Sequence, residues 1–583
     1  CLIVTRKNRN ENESQIFLAT SLFTSKENIG ELEYEIDKEK LIGRGNLNIP
    51  NMIKNSLPFS KKIGYVTESV VALKRIIKLK PKEVVNLDLV MSIDYSKENA
   101  IQNLQKYKTP ENVKRVFELA KAKIEAESRY LRIKGRDIAN YQRMLSYIIF
   151  QNPSRAVNML KAKKRKYKQS ELWKYGISGD LPIILVEIKD VNDAYVINEV
   201  LKAYEFFKTK NINVDIVIID EEKHSYENYV REEIENSILN NQMVHLKNIK
   251  GGIYTVIANE LEKNDLDLLK FMASIIINSK KGGIENNITE IEEEYLENYK
   301  SVGKQDNTLV ILNSEEENVD IIENNKELKY YNEYGGFSED GKEYLIKVNK
   351  NNRLPTVWSH IMANEKFGTI VTESMGGYSW YKNSRLYRIS SWENSASYDI
   401  PSEVIYIKDV VNKQVWSLGL NPMPDDNNYN IIYGFGYAKY IHKCDGIEQE
   451  LEVFVPKNDS LKVGILKLKN TTPNKKKLKL IYYAKIVIGE DIIKSDNYIN
   501  LDFDKNANTI YLNNLYNSEI DTETAYVSCS ENIQSYTGDK TFFFGNGGLS
   551  NPDGIKKISL NNENSLGKSS CIAYEVEVEI ESF

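Results

Sequence analysis

The sequence contains an internal repeat, and this repeat constrains the fold more than any other feature of the chain. Residues 34–50, YEIDKEKLIGRGNLNIP, align without a gap to residues 536–552, YTGDKTFFFGNGGLSNP. Chance alone gives about one identity over such a length at ordinary residue frequencies. Seven positions are identical, namely Tyr34 with Tyr536, Asp37 with Asp539, Lys38 with Lys540, Gly43 with Gly545, Gly45 with Gly547, Leu47 with Leu549 and Pro50 with Pro552. The two ends of the chain are therefore expected to carry copies of one structural unit.

An alternating strand is predicted after each copy of the repeat. Apolar residues occupy every second position, at Val85, Leu87, Leu89, Met91 and Ile93 and again at Ile572, Tyr574, Val576, Val578 and Ile580. This period of two is typical of a strand with one buried face. We expect residues 1–95 to be the C-terminal part of a first β-sandwich, and residues 301–583 to form a second β-sandwich. A partial sandwich has an uncovered face, so residues 1–95 are expected to depend on further sequence of a longer protein.

Between these two ends the apolar period changes from two to about 3.6. Ser96 is a suitable N-cap for one helix, and Thr109 precedes Pro110 at the first position of a longer helix. Residues 96–170 are therefore expected to form a helical linker.

Residues 171–300 are expected to form a small α/β unit. Predicted strands at 183–188, 214–220 and 253–258 alternate with predicted helices at 191–209, 226–240 and 266–279. Such alternation is typical of a parallel sheet covered by helices. Asp220 would lie at the carboxyl end of a strand, where ligands of such sheets bind, but the sequence has neither G-x-G-x-x-G nor a Walker lysine. A structural or docking role is favoured for this unit, and the whole chain is expected to be a multidomain α+β protein.

Composition argues against several classes of protein. The net charge of −5, without a dominant basic face, argues against a nucleic-acid partner. Apolar runs such as LSYIIF and FMASIII are shorter than a membrane span, which needs about 18 residues. The cysteines are too few and too scattered for a disulfide framework: Cys1, Cys444, Cys529 and Cys571. A reducing compartment, the cytoplasm, is expected, with any attachment of a longer parent to the inner membrane made by segments outside this chain.

Residues 367–392, FGTIVTESMGGYSWYKNSRLYRISSW, combine aromatic, amide and guanidinium side chains. Sugars have apolar ring faces that stack on aromatic rings and hydroxyl rims that need planar hydrogen-bonding partners. The candidate substrate-binding residues are Tyr378, Trp380 and Trp392 for the faces and Asn383, Arg385 and Arg388 for the rims. The alternative is an ordinary hairpin that turns at Gly376 and Gly377. In that case Trp380 is buried against Tyr378 or Trp392, and Arg385 pairs with Glu373.

The same segment and the residues after it carry the motifs of a known family. In order along the chain these are ESMGGYSW at 373–380, Asn383-Ser384-Arg385, Trp392-Glu393-Asn394, Tyr406-Ile407-Lys408-Asp409 and Val415-Trp416-Ser417. They resemble the N-terminal supersandwich domain of glycoside hydrolase family 94, formerly glycosyltransferase family 36. Residues 171–188 and 213–220 resemble the segment that precedes this domain in cyclic β-1,2-glucan synthases.

The resemblance implies a carbohydrate-binding and scaffold segment of a glucan-processing enzyme that acts as a glycosyltransferase or β-1,2-glucan phosphorylase. In the family the general acid is an Asp on an (α/α)6 barrel that follows the sandwich. The chain is expected to end at Phe583 before such a barrel, so no catalytic residue is assigned and no turnover by this chain alone is expected. The implied partners are β-glucan or an oligosaccharide and the barrel of the parent chain, and a homodimer is left open.

Carboxylates in the sandwich keep a second interpretation open. Cleavage of a glycosidic bond needs an acid together with a base, a nucleophile or phosphate on the opposite face. The carboxylates that suit these roles are Glu373, Asp399, Glu403, Asp409, Asp425 and Asp426. They allow a self-sufficient carbohydrate-active enzyme, and the α/β unit allows a non-catalytic interaction module. No metal and no cofactor is expected, because the histidines show no ligand spacing: His224, His245, His360 and His442.

Overall fold

A computed structural model gives the fold as two compact units. Unit 1 comprises Cys1–Ile133 with Ser395–Tyr398, and unit 2 comprises Lys134–Asn394 with Asp399–Phe583. The structure describes all residues except 25–28, 45–48, 151–154, 156–157, 161–166, 223–228, 301–309, 312–327, 396, 491, 517–523 and 583. None of the helices in the described part combines the length and the apolar character that a membrane crossing requires.

The described residues of unit 1 form two small antiparallel sheets and four helices. Its strands are β1 Leu2–Thr5, β2 Phe17–Thr24, β3 Ile29–Asp37, β4 Ser69–Ile76 and β5 Leu87–Asp94. They form a three-stranded sheet in the order β1-β2-β5 and a two-stranded sheet of β3 and β4. Its helices are α1 Lys38–Ile42, α2 Asn51–Lys54, α3 Lys97–Lys106 and α4 Pro110–Leu131. Both predicted linker helices are confirmed, and the Ser96 side chain caps α3 by accepting from the Asn99 amide.

The two copies of the repeat have the same local structure. In the first copy Asp37 is the N-cap of α1, Gly43 is its C-cap at a φ of +78°, and Pro50 is the N-cap of α2. The second copy assigns these three roles to Asp539, to Gly545 at a φ of +52°, and to Pro552. A left-handed φ favours glycine, because any other side chain would be strained there. Gly45 and Leu47 of the first copy lie outside the described residues.

The match continues beyond the aligned residues. The amide of Lys61 donates to the carbonyl of Tyr34, and the amide of Asn562 donates to the carbonyl of Tyr536. Lys61 and Asn562 both have left-handed backbones, with φ of +54° and +56°. The duplication therefore preserves a complete connection of strand, two short helices, left-handed turn and returning strand.

Sequence analysis assigned the wrong returning strand to the first copy of the repeat. β3 pairs with β4, with Asp37 opposite Ser69, just as Asp539 lies opposite Ser570 in the second copy. The alternating segment at 87–94 is instead β5, which pairs with β2. Sequence analysis chose β5 because its apolar and polar residues alternate more regularly than those of β4. Four apolar side chains of β5 are exposed within unit 1, namely Leu87, Leu89, Met91 and Ile93.

The α/β unit has a parallel sheet of four strands in the order β8-β7-β6-β9. These strands are β6 Ile183–Ile188, β7 Asp215–Asp220, β8 Ile253–Ile257 and β9 Ala273–Asn278. The helices around them are α5 Gly135–Ile149, α6 Tyr195–Thr209, α7 Tyr229–Asn240, α8 Lys263–Met272 and α9 Ile284–Lys300. The helix predicted at 266–279 is half wrong, because it ends at Met272 and β9 follows. A strand that is buried on both faces has a continuous apolar run, which does not reveal its period.

The rest of unit 2 is mainly antiparallel, as predicted. One six-stranded sheet has the order β10-β18-β17-β23-β29-β28, with bounds Val310–Ile311, Gln414–Ser417, Glu403–Asp409, Lys476–Ala484, Ser570–Ile580 and Ser535–Asp539. A second has the order β11-β12-β19-β20-β21-β22, with bounds Gly335–Phe337, Glu343–Val348, Tyr429–Gly434, Tyr437–Cys444, Ile447–Phe454 and Val463–Asn470. Their apolar faces share a core that includes Ile407, Trp416, Tyr440 and Leu478.

Two smaller sheets complete this part of unit 2. One has the order β13-β14-β15-β16-β24, with bounds Ser359–Ala363, Phe367–Thr372, Gly377–Tyr381, Arg388–Ser390 and Ile486–Gly489. The other joins β25 Ile499–Asp504, β26 Thr509–Asn514 and β27 Ala525–Ser528. Short helices α10 Ile492–Ser495, α11 Lys540–Phe544 and α12 Asp553–Lys556 lie between strands. The apolar side chains of these sheets fall into several core clusters.

Asp409 should make this sandwich sensitive to acid. Burial raises the pKa of its carboxyl group, but hydrogen bonds from the amide of Asn412 and from the Lys476 ammonium outweigh burial, so the pKa is lowered overall. A lowered pKa adds stability above the unfolded value of about 3.9, and this stability is lost as the pH falls through the folded value. We expect Asp409→Asn to lower the unfolding free energy by about 1.5–3 kcal/mol near pH 7. Denaturant titrations at several pH values should show this difference shrinking below about pH 4.

Asp504 provides a matched control. It accepts two turn amides, those of Asn506 and Ala507, as Asp409 does, but it is exposed. Asp504→Asn should therefore have a much smaller effect. Equal losses in the two variants at every pH would show that turn capping, and not the buried charge, stabilises this region.

Candidate functional site

The segment at 367–392 folds as a β-meander in unit 2. β14 pairs with β15, and β15 pairs with β16 through Trp380 opposite Arg388. The Trp380 indole lies over Gly368, its cross-strand partner, where any larger side chain would clash with the ring. The absence of a side chain at 368 therefore creates the platform on which Trp380 lies.

Three aromatic rings form a row along this meander. The centroid of Tyr378 is 5.3 Å from that of Trp380 and 6.2 Å from that of Trp392, and the planes of Tyr378 and Trp392 differ by 26°. The Arg388 guanidinium is 5.2 Å from the centre of Tyr378. Each of these four side chains is partly accessible to solvent. The structure thus brings together four of the six residues that the sequence predicts for sugar binding.

Asp399 holds one end of this aromatic row. Its carboxylate accepts from the indole nitrogen of Trp392 at 3.3 Å and from the hydroxyl of Thr372 at 2.6 Å. The Thr372 oxygen in turn accepts from the amide of Gly376 at 2.7 Å. Asp399 itself is fully buried. The hydrogen bond from its indole nitrogen therefore fixes the orientation of the Trp392 ring.

The two other predicted residues, Asn383 and Arg385, lie at the tip that joins β15 to β16. The Asn383 side chain accepts from the amides of Arg385 and Leu386, both at 2.9 Å, so its oxygen shapes the turn. The Arg385 guanidinium donates to Glu490 at 3.0 Å, and both side chains are largely exposed. Arg385 therefore pairs with Glu490 and not with Glu373, which was the alternative from sequence.

The six candidate carboxylates all have partners. Glu373 and Asp399 are buried acceptors within the meander region, and Asp409 caps a turn. Glu403 is 2.5 Å from the Lys462 ammonium and accepts from the Tyr482 hydroxyl. The remaining two carboxylates pair with cations or histidine, Asp425 with His442 and Asp426 with Lys350. The carboxylates are thus spread over separate hydrogen-bond networks.

A cavity of about 1050 Å³ lies between the sheets of unit 2. Most of its lining is apolar, and the Glu403 and Lys462 pair contributes charge. Tyr378 and Arg388 line part of it, so the cavity adjoins the aromatic row.

Sequence analysis missed one cluster of reactive side chains. His442 and Cys444 alternate on β20 and so lie on the same face, and Asp425 comes from the loop between β18 and β19. All three are buried, and their ligand atoms lie within 4.8 Å of one another. The H-x-C pattern on a strand was the available signal, whereas the distant carboxylate gave none. Of the other histidines, His224 lies outside the described residues.

The chain was compared with known proteins. A family model described as "Glycosyl hydrolase 94, supersandwich domain" matches residues 1–110 and 342–582. Cyclic beta-(1,2)-glucan synthase NdvB of Rhizobium meliloti (strain 1021) is 22% identical over 592 aligned residues, which cover 99% of this chain and 21% of that protein. The N,N'-diacetylchitobiose phosphorylases of Vibrio proteolyticus and Vibrio furnissii are 26% and 27% identical over 221 residues, which cover 36% of this chain and 27% of each relative.

The chain therefore spans about a fifth of the synthase and about a quarter of each phosphorylase. The family match covers more than half of the chain, includes the aromatic meander, and agrees with the sheets of unit 2. The chain belongs to the glycosyl hydrolase 94 supersandwich family.

Proposed function

We propose that this chain is the carbohydrate-binding and scaffold part of a glucan-processing enzyme similar to cyclic β-1,2-glucan synthase. Two features support this. The family match covers the sandwich, and the synthase of Rhizobium meliloti aligns with nearly the whole chain. The reaction itself would take place on an (α/α)6 barrel elsewhere in the parent protein, working as a glycosyltransferase or β-1,2-glucan phosphorylase.

The observation that carries the proposal is the row of Trp380, Tyr378 and Trp392. Rings at 5.3 and 6.2 Å spacing, each partly exposed, are the proposed contacts for successive sugar units of one glucan chain. Arg388 beside Tyr378 and Arg385 at the tip offer planar donors to the hydroxyl rims. A rigid surface of this kind binds sugars with little loss of side-chain entropy, because the rings are already held in place.

The partners of the carboxylates favour this role over catalysis by the sandwich itself. A glycosidase needs two carboxyl groups that face one bond, with one of them available as an acid. Here Asp399 and Asp409 are fully buried acceptors, and Glu403 is tied to Lys462. We therefore propose that this chain positions the glucan and does not cleave it.

We expect Trp380→Ala to weaken binding of linear β-1,2-glucan oligosaccharides. Loss of one stacking contact costs about 0.5–1.5 kcal/mol, which corresponds to an affinity about 2- to 12-fold lower. Isothermal titration calorimetry with the full chain measures this directly. Phe435→Ala is the matched control, because Phe435 is an aromatic residue of unit 2 that is 81% exposed and lies outside the row. Equal affinities for the wild type and Trp380→Ala, or equal losses in both variants, would contradict the proposal.

Arg385→Ala should separate a binding role from a structural one. Its ion pair with Glu490 is exposed, and exposed pairs contribute at most about 1 kcal/mol to stability. The melting temperature is therefore expected to stay nearly constant, while a lost charged hydrogen bond to the glucan costs about 1.5–3 kcal/mol of affinity. Glu490→Ala is the control, since it breaks the same ion pair but leaves the guanidinium in place. If both variants bind glucan like the wild type, Arg385 has no part in the site.

A further inference from the structure

We propose that Asp425, His442 and Cys444 form a structural zinc site in the core of unit 2. The three side chains supply a carboxylate oxygen, an imidazole nitrogen and a sulfur, which is a donor set that suits Zn²⁺. The proposal is independent of glucan binding, because none of these residues belongs to the aromatic row.

The geometry of His442 supports this assignment. Its Nδ1 atom donates to the carbonyl oxygen of Asn428 at 3.1 Å, since a carbonyl can only accept. Zinc-bound histidines usually donate their second ring nitrogen to a carbonyl or carboxylate in this way, which fixes the ring and its tautomer. Stacking on Tyr429, at 3.8 Å between ring centres, holds the imidazole further. The Nε2 atom therefore points in a fixed direction, toward the carboxylate of Asp425.

The remaining ligand atoms surround the same point. Asp425 Oδ2 is 2.8 Å from His442 Nε2, and the Cys444 sulfur completes a group whose ligand atoms lie within 4.8 Å of one another. The amide of Asn427 donates to the other carboxylate oxygen, Oδ1, at 2.9 Å and so orients the group. Ligand atoms around a tetrahedral zinc ion lie about 3.4 Å apart. Zinc binding therefore requires the distance between Asp425 Oδ2 and His442 Nε2 to increase by about half an ångström.

Gln449 provides a second and independent observation. It lies directly opposite His442 in the pairing of β20 with β21, it is 1% exposed, and it belongs to the same buried face. Among the described residues neither its amide nitrogen nor its amide oxygen has a hydrogen-bond partner. A buried amide without partners is destabilising, and binding to the ion through its oxygen would remove part of this cost. Gln449 is therefore the proposed fourth ligand, because of its place opposite His442 on the same buried face.

The test is the metal content of the full chain, purified after growth with added Zn²⁺. We expect about one tightly held zinc per chain by inductively coupled plasma mass spectrometry, because a buried site binds its ion as the protein folds. Cys444→Ser and His442→Gln should bind zinc at least about tenfold more weakly. Cys571→Ser is the matched control, because Cys571 is an equally buried cysteine of a different core cluster, and it should keep the zinc.

Cobalt substitution distinguishes the proposed ligands from a surface ion. A thiolate ligand gives a near-ultraviolet sulfur-to-cobalt band, which should be present in the wild type and in Cys571→Ser and absent in Cys444→Ser. Gln449→Leu should keep this band but lower the affinity for the metal, since it removes only an oxygen ligand. Wild-type protein that holds no zinc, and whose melting temperature does not change with added Zn²⁺, would overturn the proposal without recourse to any variant. A zinc ion that dilute chelator removes at once, or a cobalt band that persists in Cys444→Ser, would overturn it as well.

Discussion

The candidate sugar-binding surface depends on the hydrogen bonds of one buried carboxylate, Asp399. It joins the end of a strand at Thr372, the aromatic residue Trp392 and, through its backbone carbonyl, the side chain of Asn421. A buried carboxylate is costly unless donors surround it, so these segments cannot separate without exposing an unpaired charge to the protein interior. The same requirement fixes the indole of Trp392 at one end of the row, and the sheet register then fixes Tyr378 and Trp380.

Sequence analysis predicted the elements whose signals are local. The helix that Ser96 caps and the strand Ile183–Ile188 were found as predicted, because a cap and a short apolar run depend only on neighbouring residues. The helix expected through residue 279 ended at Met272, since the following Ala273–Asn278 is a doubly buried strand without a visible period. Periodicity alone does not separate a doubly buried strand from a helix: Ile183–Ile188 was recognised as a strand, and Ala273–Asn278 was not.

The sequence predicted which kinds of side chain the candidate site contains, but not the ion-pair and hydrogen-bond partners of those side chains. The composition of residues 367–392 indicated rings and planar donors, and the meander brings the rings into one row. The partner of Arg385, by contrast, is Glu490, which lies 105 residues away in sequence. Asp425 and His442 likewise come from a loop and a strand that are 17 residues apart in sequence. No spacing rule covers such contacts, because tertiary packing alone brings the residues together.

The duplication preserves backbone geometry more than it preserves surroundings. Asp37 and Asp539 cap their helices in the same way, yet Leu41 packs in a small cluster of unit 1 while Phe543 packs between strands of unit 2. Identities have survived at caps and at left-handed positions, where few residue types suit the backbone. The aromatic meander lies outside both copies. A second copy of the candidate sugar-binding surface therefore does not follow from the repeat.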